Sequence, residues 1–146
     1  ALLRIQKTSN LKIVLPLHPR TKEKLNSHLD ENLLTEINQN KNFKIIPPTG
    51  FLDIISLEKN ARLIITDSGG LQKEAFFFQK PCVILREQTE WIEIVENGNA
   101  VIAGANELKI ISSVETLINR TDFTYPNLYG DGNAANFICK KITEEL

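Results

Sequence analysis

Short apolar runs with little polar alternation recur along the chain, and a segment with helical spacing follows nearly every one. The first is Lys12-Ile13-Val14-Leu15-Pro16-Leu17, closed by His18-Pro19-Arg20. Thr21 reads as the N-cap of a helix reaching about Gln39, with Lys24 where a capping box would place Glu. The second run, Phe43 to Ile46, stops at Pro47-Pro48. A short helix over about Phe51 to Asn60 comes next, containing Asp53, with Leu52, Ile55 and Leu57 as its predicted buried stripe. The third run, Arg62 to Thr66, leads straight into Asp67-Ser68-Gly69-Gly70 and a helix from about Leu71 to Gln79. Cys82 to Leu85 and Ala100 to Ala103 are the fourth and fifth, and a helix over Asn106 to Leu117 follows the latter. A turn-rich loop, Asn127 to Gly132, precedes a last amphipathic helix with Ala134, Ala135, Ile138 and Ile142 on one side.

Strands apolar on both faces, each followed by a helix, are the pattern of a parallel sheet covered by helices on both sides. The predicted fold is α/β, a doubly wound, Rossmann-like parallel sheet. Residues 1–10 read as the tail of a helix, not as the start of a domain. In a sheet of order 3-2-1-4-5-6 the strand feeding that helix is the central one. The expectation is therefore one domain over residues 1–146, truncated at its N-terminus and lacking its first strand.

Composition narrows the picture further. The chain has 146 residues, 42% of them hydrophobic, enough for one buried core and too many for a disordered segment. Lys and Arg total 17 against 18 Asp and Glu, a net charge of −1 that speaks against gripping nucleic acid. No apolar run approaches the roughly 20 residues of a membrane helix, so no membrane role is expected. Cys82 and Cys139 lack metal or redox spacing and read as small buried hydrophobes in a reducing compartment.

The strongest chemical signal is Thr66-Asp67-Ser68-Gly69-Gly70-Leu71-Gln72-Lys73-Glu74. It lies at the carboxyl end of a predicted parallel strand and opens a helix, where doubly wound sheets bind ligands. Two glycines allow close approach of an anion to backbone N–H groups, and the helix dipole favours a phosphate there. Ser68 can cap the helix or donate to that phosphate, and Glu74, one turn on, can accept from a ribose diol. The plainer reading is a strand-to-helix turn with an N-cap and a surface Glu. His18 and Arg20 end another strand on the same sheet edge, either facing an anion or simply solvated, while His28 reads as a solvated bystander. Arg86, Glu90 and Trp91 follow the fourth strand on the cleft side. Arg86 or Glu90 can touch a ligand there, and Trp91 either stacks on one or packs in the core. Glu87, Glu90 and Glu93 fit the dipole preference of a helix start, and spacing nominates no acid–base pair.

Taken together and in order, these segments resemble the C-terminal half of the non-hydrolysing UDP-N-acetylglucosamine 2-epimerases, two-domain enzymes with a GT-B-like fold. The resemblance is carried by His18-Pro19-Arg20-Thr21, Gly50-Phe51-Leu52-Asp53 and Thr66 to Gly70 with Gln72 and Glu74. It continues through Lys80-Pro81, Arg86 with Thr89-Glu90, and Asn127-Leu128-Tyr129-Gly130-Asp131-Gly132. It implies that UDP sits mainly on this half and that the sugar reacts between two domains. The implied chemistry is anti elimination of UDP to a 2-acetamidoglucal and re-addition to the opposite face, which inverts C2 of the GlcNAc unit to give ManNAc. Carried over, Ser68, Gly69 and Gly70 hold the diphosphate and Glu74 the ribose hydroxyls, while the counterpart of His18 touches a second, regulatory UDP-GlcNAc.

Departures from that pattern are also informative. The GHR segment and the N-terminal-domain carboxylates assigned the proton transfers have no counterpart in these residues. No catalytic residue is therefore expected here, and the chain alone is expected to be inactive. Trp91 stands where many bacterial members carry an arginine that contacts UDP. Ile54 replaces a common Phe, Lys73 a frequent Glu, Leu128 a frequent Pro, and Gln79 a frequent Gly.

Two further readings stay open: the donor-nucleotide domain of a GT-B glycosyltransferase, and a non-catalytic UDP-sugar-binding module. Implied partners are a UDP-sugar, the N-terminal domain of the same protein and, when intact, a second copy in a homodimer. Nucleic acid, cofactor and metal are not expected. Cytoplasmic work on polysaccharide precursors is implied. A partly uncovered apolar face on the last helix predicts self-association or marginal stability.

Overall fold

In the computed structural model, which describes residues 1–144, all five apolar runs form strands and the pairing among them is parallel. They are β1 (Ile13–Pro16), β2 (Phe43–Ile46), β3 (Ile64–Thr66), β4 (Cys82–Ile84) and β5 (Ala100–Ile102). The strands form two sheets, β1 with β2 and β3-β4-β5 in that order.

Alternation along β4 explains the two-sided core. Val83 points to one face, where it meets Ile5 of α1 (Leu2–Ser9) and Ile110, Ile111, Val114 and Leu117 of α7 (Glu107–Asn119). Cys82 and Ile84 point to the other, against Ala75 and Phe76 of α5 (Gly69–Phe77) and Ile94 of α6 (Ile92–Glu96). Every residue of β4 is buried, as a central strand with helices on both faces requires. The β1–β2 sheet is less covered, with Val14 37% exposed. Helix α1 links the two sheets, since the Asn40 amide donates to Gln6 Oε1 across 2.5 Å and Lys7 pairs with Glu36.

Four expectations need correction. The helix foreseen from Thr21 to Gln39 is two helices, α2 (Pro19–His28) and α3 (Glu31–Gln39). His18, not Thr21, caps α2, with Pro19 in its first turn, and Asp30 restarts the chain by accepting from the Asn32 and Leu33 N–H groups. In α4 (Phe51–Asn60) the predicted stripe does not hold, because Leu52 is 78% exposed and the one buried side chain is Glu58. Cys139 is exposed, since α8 (Ala134–Glu144) buries none of its residues, and only Cys82 is a core thiol. On α8, Phe137, Ile138 and Ile142 are all more than half exposed.

Candidate functional site

The segment Thr66–Glu74 folds as its residues dictate. Ser68 is extended and caps α5, its hydroxyl accepting from the Leu71 N–H at 3.5 Å. Behind it, the Ser68 N–H donates to Thr66 Oγ1 at 3.0 Å, which ties the turn to the end of β3. Gly69 and Gly70 are the first two helical residues, so their N–H groups point out of the helix end, where the dipole is positive. A Cβ on Gly70 would meet only Ser68 Oγ, at 3.8 Å, so the backbone is open to an incoming group. Glu74 stands one turn further on and is half-buried.

The loop after β4 closes over this turn. Arg86 donates to both carboxylate oxygens of Glu90, at 3.0 and 2.9 Å, and Glu90 lies so near Gly69 that an added Cβ there would sit 2.8 Å from its Oε1. The Glu90 backbone N–H and the Arg86 guanidinium hold the Glu90 carboxyl below its usual range. Trp91 donates its indole N–H to the Gly69 carbonyl across 2.8 Å. The structure thus brings Ser68, Gly69, Gly70, Glu74, Arg86, Glu90 and Trp91 into one neighbourhood. His18 and Arg20 are exposed at the start of α2, beside the other sheet. Among the described residues no hydrogen bond or ion pair joins them to the Ser68 turn. His28 is exposed, with its ring on Ser27 and the Lys24 carbonyl.

Three contributions were not legible in the sequence. Tyr129 meets Trp91 edge-on with ring centroids 5.7 Å apart, and the Lys73 ammonium lies 4.4 Å from the centres of both rings. In this cluster Trp91 is partly buried and carries a polar handle on the turn. Gln72, fully buried, accepts from the Thr89 hydroxyl at 2.5 Å and so couples α5 to the loop. Glu58 is buried against Glu74, and its position three and four residues beyond the half-buried Ile55 and Ile54 was the available signal. Burial, with Glu74 beside it, pushes the Glu58 carboxyl up to about 7.

Two hollows, of about 310 and 200 Å³, lie away from the Ser68 turn, one along α2 and the other between Phe76, Phe77 and the Tyr125–Tyr129 segment. Among the described residues no cluster of three His, Cys, Asp or Glu is placed to hold a metal, and no helix is long and apolar enough to cross a membrane. The arrangement can bind a phosphate-bearing ligand from one side.

Known proteins resemble this chain over most of its length. A protein of Methanococcus maripaludis named UDP-N-acetylglucosamine 2-epimerase homolog is 43% identical over 138 residues, 94% of this chain and 36% of that protein. A Pseudomonas aeruginosa protein named UDP-2,3-diacetamido-2,3-dideoxy-D-glucuronate 2-epimerase is 39% identical over 132 residues, 90% of this chain and 35% of its own length. The crystal structure of Methanocaldococcus jannaschii UDP-GlcNAc 2-epimerase in complex with UDP-GlcNAc and UDP matches with a TM-score of 0.82 and 38% identity. That match covers 98% of this chain and 38% of the other. The chain spans about a third of the length of these relatives. The family model for UDP-N-acetylglucosamine 2-epimerase matches residues 1–143. On a match of that extent, joined to a shared doubly wound α/β fold, the chain belongs to the UDP-N-acetylglucosamine 2-epimerase family.

Proposed function

We propose that this chain is the UDP-binding, C-terminal part of an epimerase that interconverts UDP-N-acetylglucosamine and UDP-N-acetylmannosamine by elimination and re-addition of UDP. The observation that carries the reading is the Ser68-capped start of α5 at the carboxyl end of β3, with Gly70 open, the Glu90 carboxylate beside Gly69, and Glu74 one turn along. In this reading Ser68 and the two glycine N–H groups hold the diphosphate, and Glu74 accepts from the ribose hydroxyls. The leaving group of the elimination is UDP, so N–H donors fixed at its phosphates stabilise the charge that develops as the sugar–oxygen bond breaks. Proton transfer at C2 is assigned to no residue of this chain, which by itself is inactive. The rest of the enzyme, a homodimeric state when intact and a cytoplasmic setting complete the proposal. The relative acting on a diacetamido uronate shows that the family's sugar varies, and the substrate class proposed here is a UDP-2-acetamido sugar.

The test is an amide NMR titration of this chain with UDP, with UMP and inorganic phosphate as controls. Saturable shifts centred on Ser68, Gly69, Gly70 and Glu74, strongest for UDP, are expected. A well-dispersed spectrum that UDP leaves unchanged would overturn the residue assignments.

A further inference from the structure

Glu58 is the side chain that α4 buries, only 4% exposed, with both carboxylate oxygens shut off from water and no N–H or hydroxyl donor against them. A buried carboxylate with no donor is unfavourable by several kcal/mol, and such groups stay protonated instead. What faces Glu58 is the Glu74 carboxyl from α5 and the Cys82 thiol from β4. On its own helix the neighbouring Lys59 turns its ammonium over the Phe78 ring at 5.3 Å. Two carboxyl groups can hydrogen-bond each other only if one of them holds a proton. Glu58 is the more deeply buried of the two, so a shared proton belongs on Glu58.

We infer that Glu58 is a positioning residue: its carboxylic O–H donates to Glu74 and fixes the Glu74 carboxylate in the orientation that receives a ribose diol. The inference rests on the ribose role given to Glu74 above. It makes recognition of the sugar ring, but not of the diphosphate, depend on the Glu58 proton. With the Glu58 carboxyl raised to about 7, that proton leaves in the neutral range. Once ionised, Glu58 repels Glu74 and donates nothing. Glutamine at this position would keep an N–H donor at every pH, and leucine would remove it at every pH.

The experiment compares the affinity of this chain for UDP and for 2′,3′-dideoxy-UDP between about pH 6 and about pH 9. The two ligands share one diphosphate, so its ionisation cancels in the ratio. Wild type is expected to favour UDP about tenfold at the acid end, the size of a charge-assisted hydrogen bond, and to lose that preference as pH rises through about 7. Glu58→Gln should hold the preference flat across the range, and Glu58→Leu should abolish it throughout. A wild-type preference that ignores pH and survives in Glu58→Leu overturns the inference while leaving the Glu74 reading intact. If UDP and its dideoxy analogue bind equally at every pH and Glu74→Ala changes nothing, the ribose role of Glu74 falls and this inference with it.

Discussion

The Trp91 indole N–H donates to the Gly69 carbonyl across 2.8 Å, from a residue 22 positions further along the chain. The turn that opens α5 is therefore held from behind by the aromatic cluster at the start of α6, with Tyr129 and the Lys73 ammonium against the same indole. Replacing Trp91 by Phe keeps a ring in the cluster and deletes one donor. The Gly69 carbonyl then loses its partner, a change of about 1 kcal/mol. Chemical unfolding should register that loss, and titration calorimetry should show UDP binding weakened about fivefold. An unchanged affinity would mean that the turn keeps its shape without Trp91.

Gly69 offers a sharper separation of folding from binding. It is a first-turn helical residue with ordinary backbone angles, so alanine is tolerated there conformationally. The added methyl meets only the end of the Glu90 side chain, which is half exposed and can move aside at the expense of its exposed ion pair with Arg86, a contact worth little. Stability of Gly69→Ala should stay within about 0.5 kcal/mol of wild type. In the proposed site the same methyl also crowds the Gly69 N–H against an incoming phosphate, so UDP affinity should fall at least about tenfold. Calorimetry and thermal unfolding on one preparation would decide it.

Local chemistry explains which parts of this molecule were legible in advance. The strand runs and the Ser68-Gly69-Gly70 junction depend on adjacent residues, and the structure places all of them where apolar patterning and glycine spacing put them. The break at Leu29–Asp30 was missed because a helical pattern runs through it, and only the Asp30 side chain on two N–H groups reveals a second start. Glu58 was passed over because an acid in an apolar pattern reads as an exposed position unless its partner is known, and Glu74 is supplied by the next helix. Trp91, Tyr129 and Lys73 likewise meet only after β4 and the loops beyond it have folded.

The same buried acid gives the fold a pH signature. In the unfolded chain Glu58 titrates near 4.5, and in the folded chain near 7, so the native state holds the proton more tightly. Its contribution is therefore complete below 4.5 and is lost as pH rises through about 7. At about 1.4 kcal/mol per pH unit over the interval between these two values, the loss is about 3 kcal/mol. Glu90, Asp122 and Asp131 are shifted the opposite way, so their contributions fade only on acidification. Urea unfolding between about pH 5 and about pH 9 should show stability falling up to about pH 7 and level above it, and Glu58→Gln should flatten the falling part. A wild-type curve already flat there would place the Glu58 carboxylate in contact with water.

The two cysteines should differ sharply in reactivity. Burial pushes the Cys82 thiol up to about 12, with Glu58 adding to the shift, whereas Cys139 is exposed on α8. Only a thiolate attacks a disulfide reagent. One thiol per chain should react quickly with an aromatic disulfide, and the second only at the rate of unfolding. Cys139→Ser should remove the fast phase entirely, and a surviving fast phase would show that β4 opens locally.

Helix α5 ends on a strained residue. Gln79 has φ of 57°, in the left-handed region, and its N–H donates to the Phe76 carbonyl at 3.0 Å while that of Lys80 donates to Ala75 at 2.8 Å. This is the paired closure in which glycine is the preferred residue, because a side chain in that conformation costs about 1 kcal/mol. Gln79 is exposed, so its side chain contributes little packing to set against the strain. Gln79→Gly should therefore stabilise the fold by up to about 1 kcal/mol, raising the melting temperature by about 3 °C. The substitution lies at the far end of α5 from Ser68, so UDP affinity should not move. A destabilised variant would show instead that the greater freedom of glycine in the unfolded chain outweighs the relief of strain.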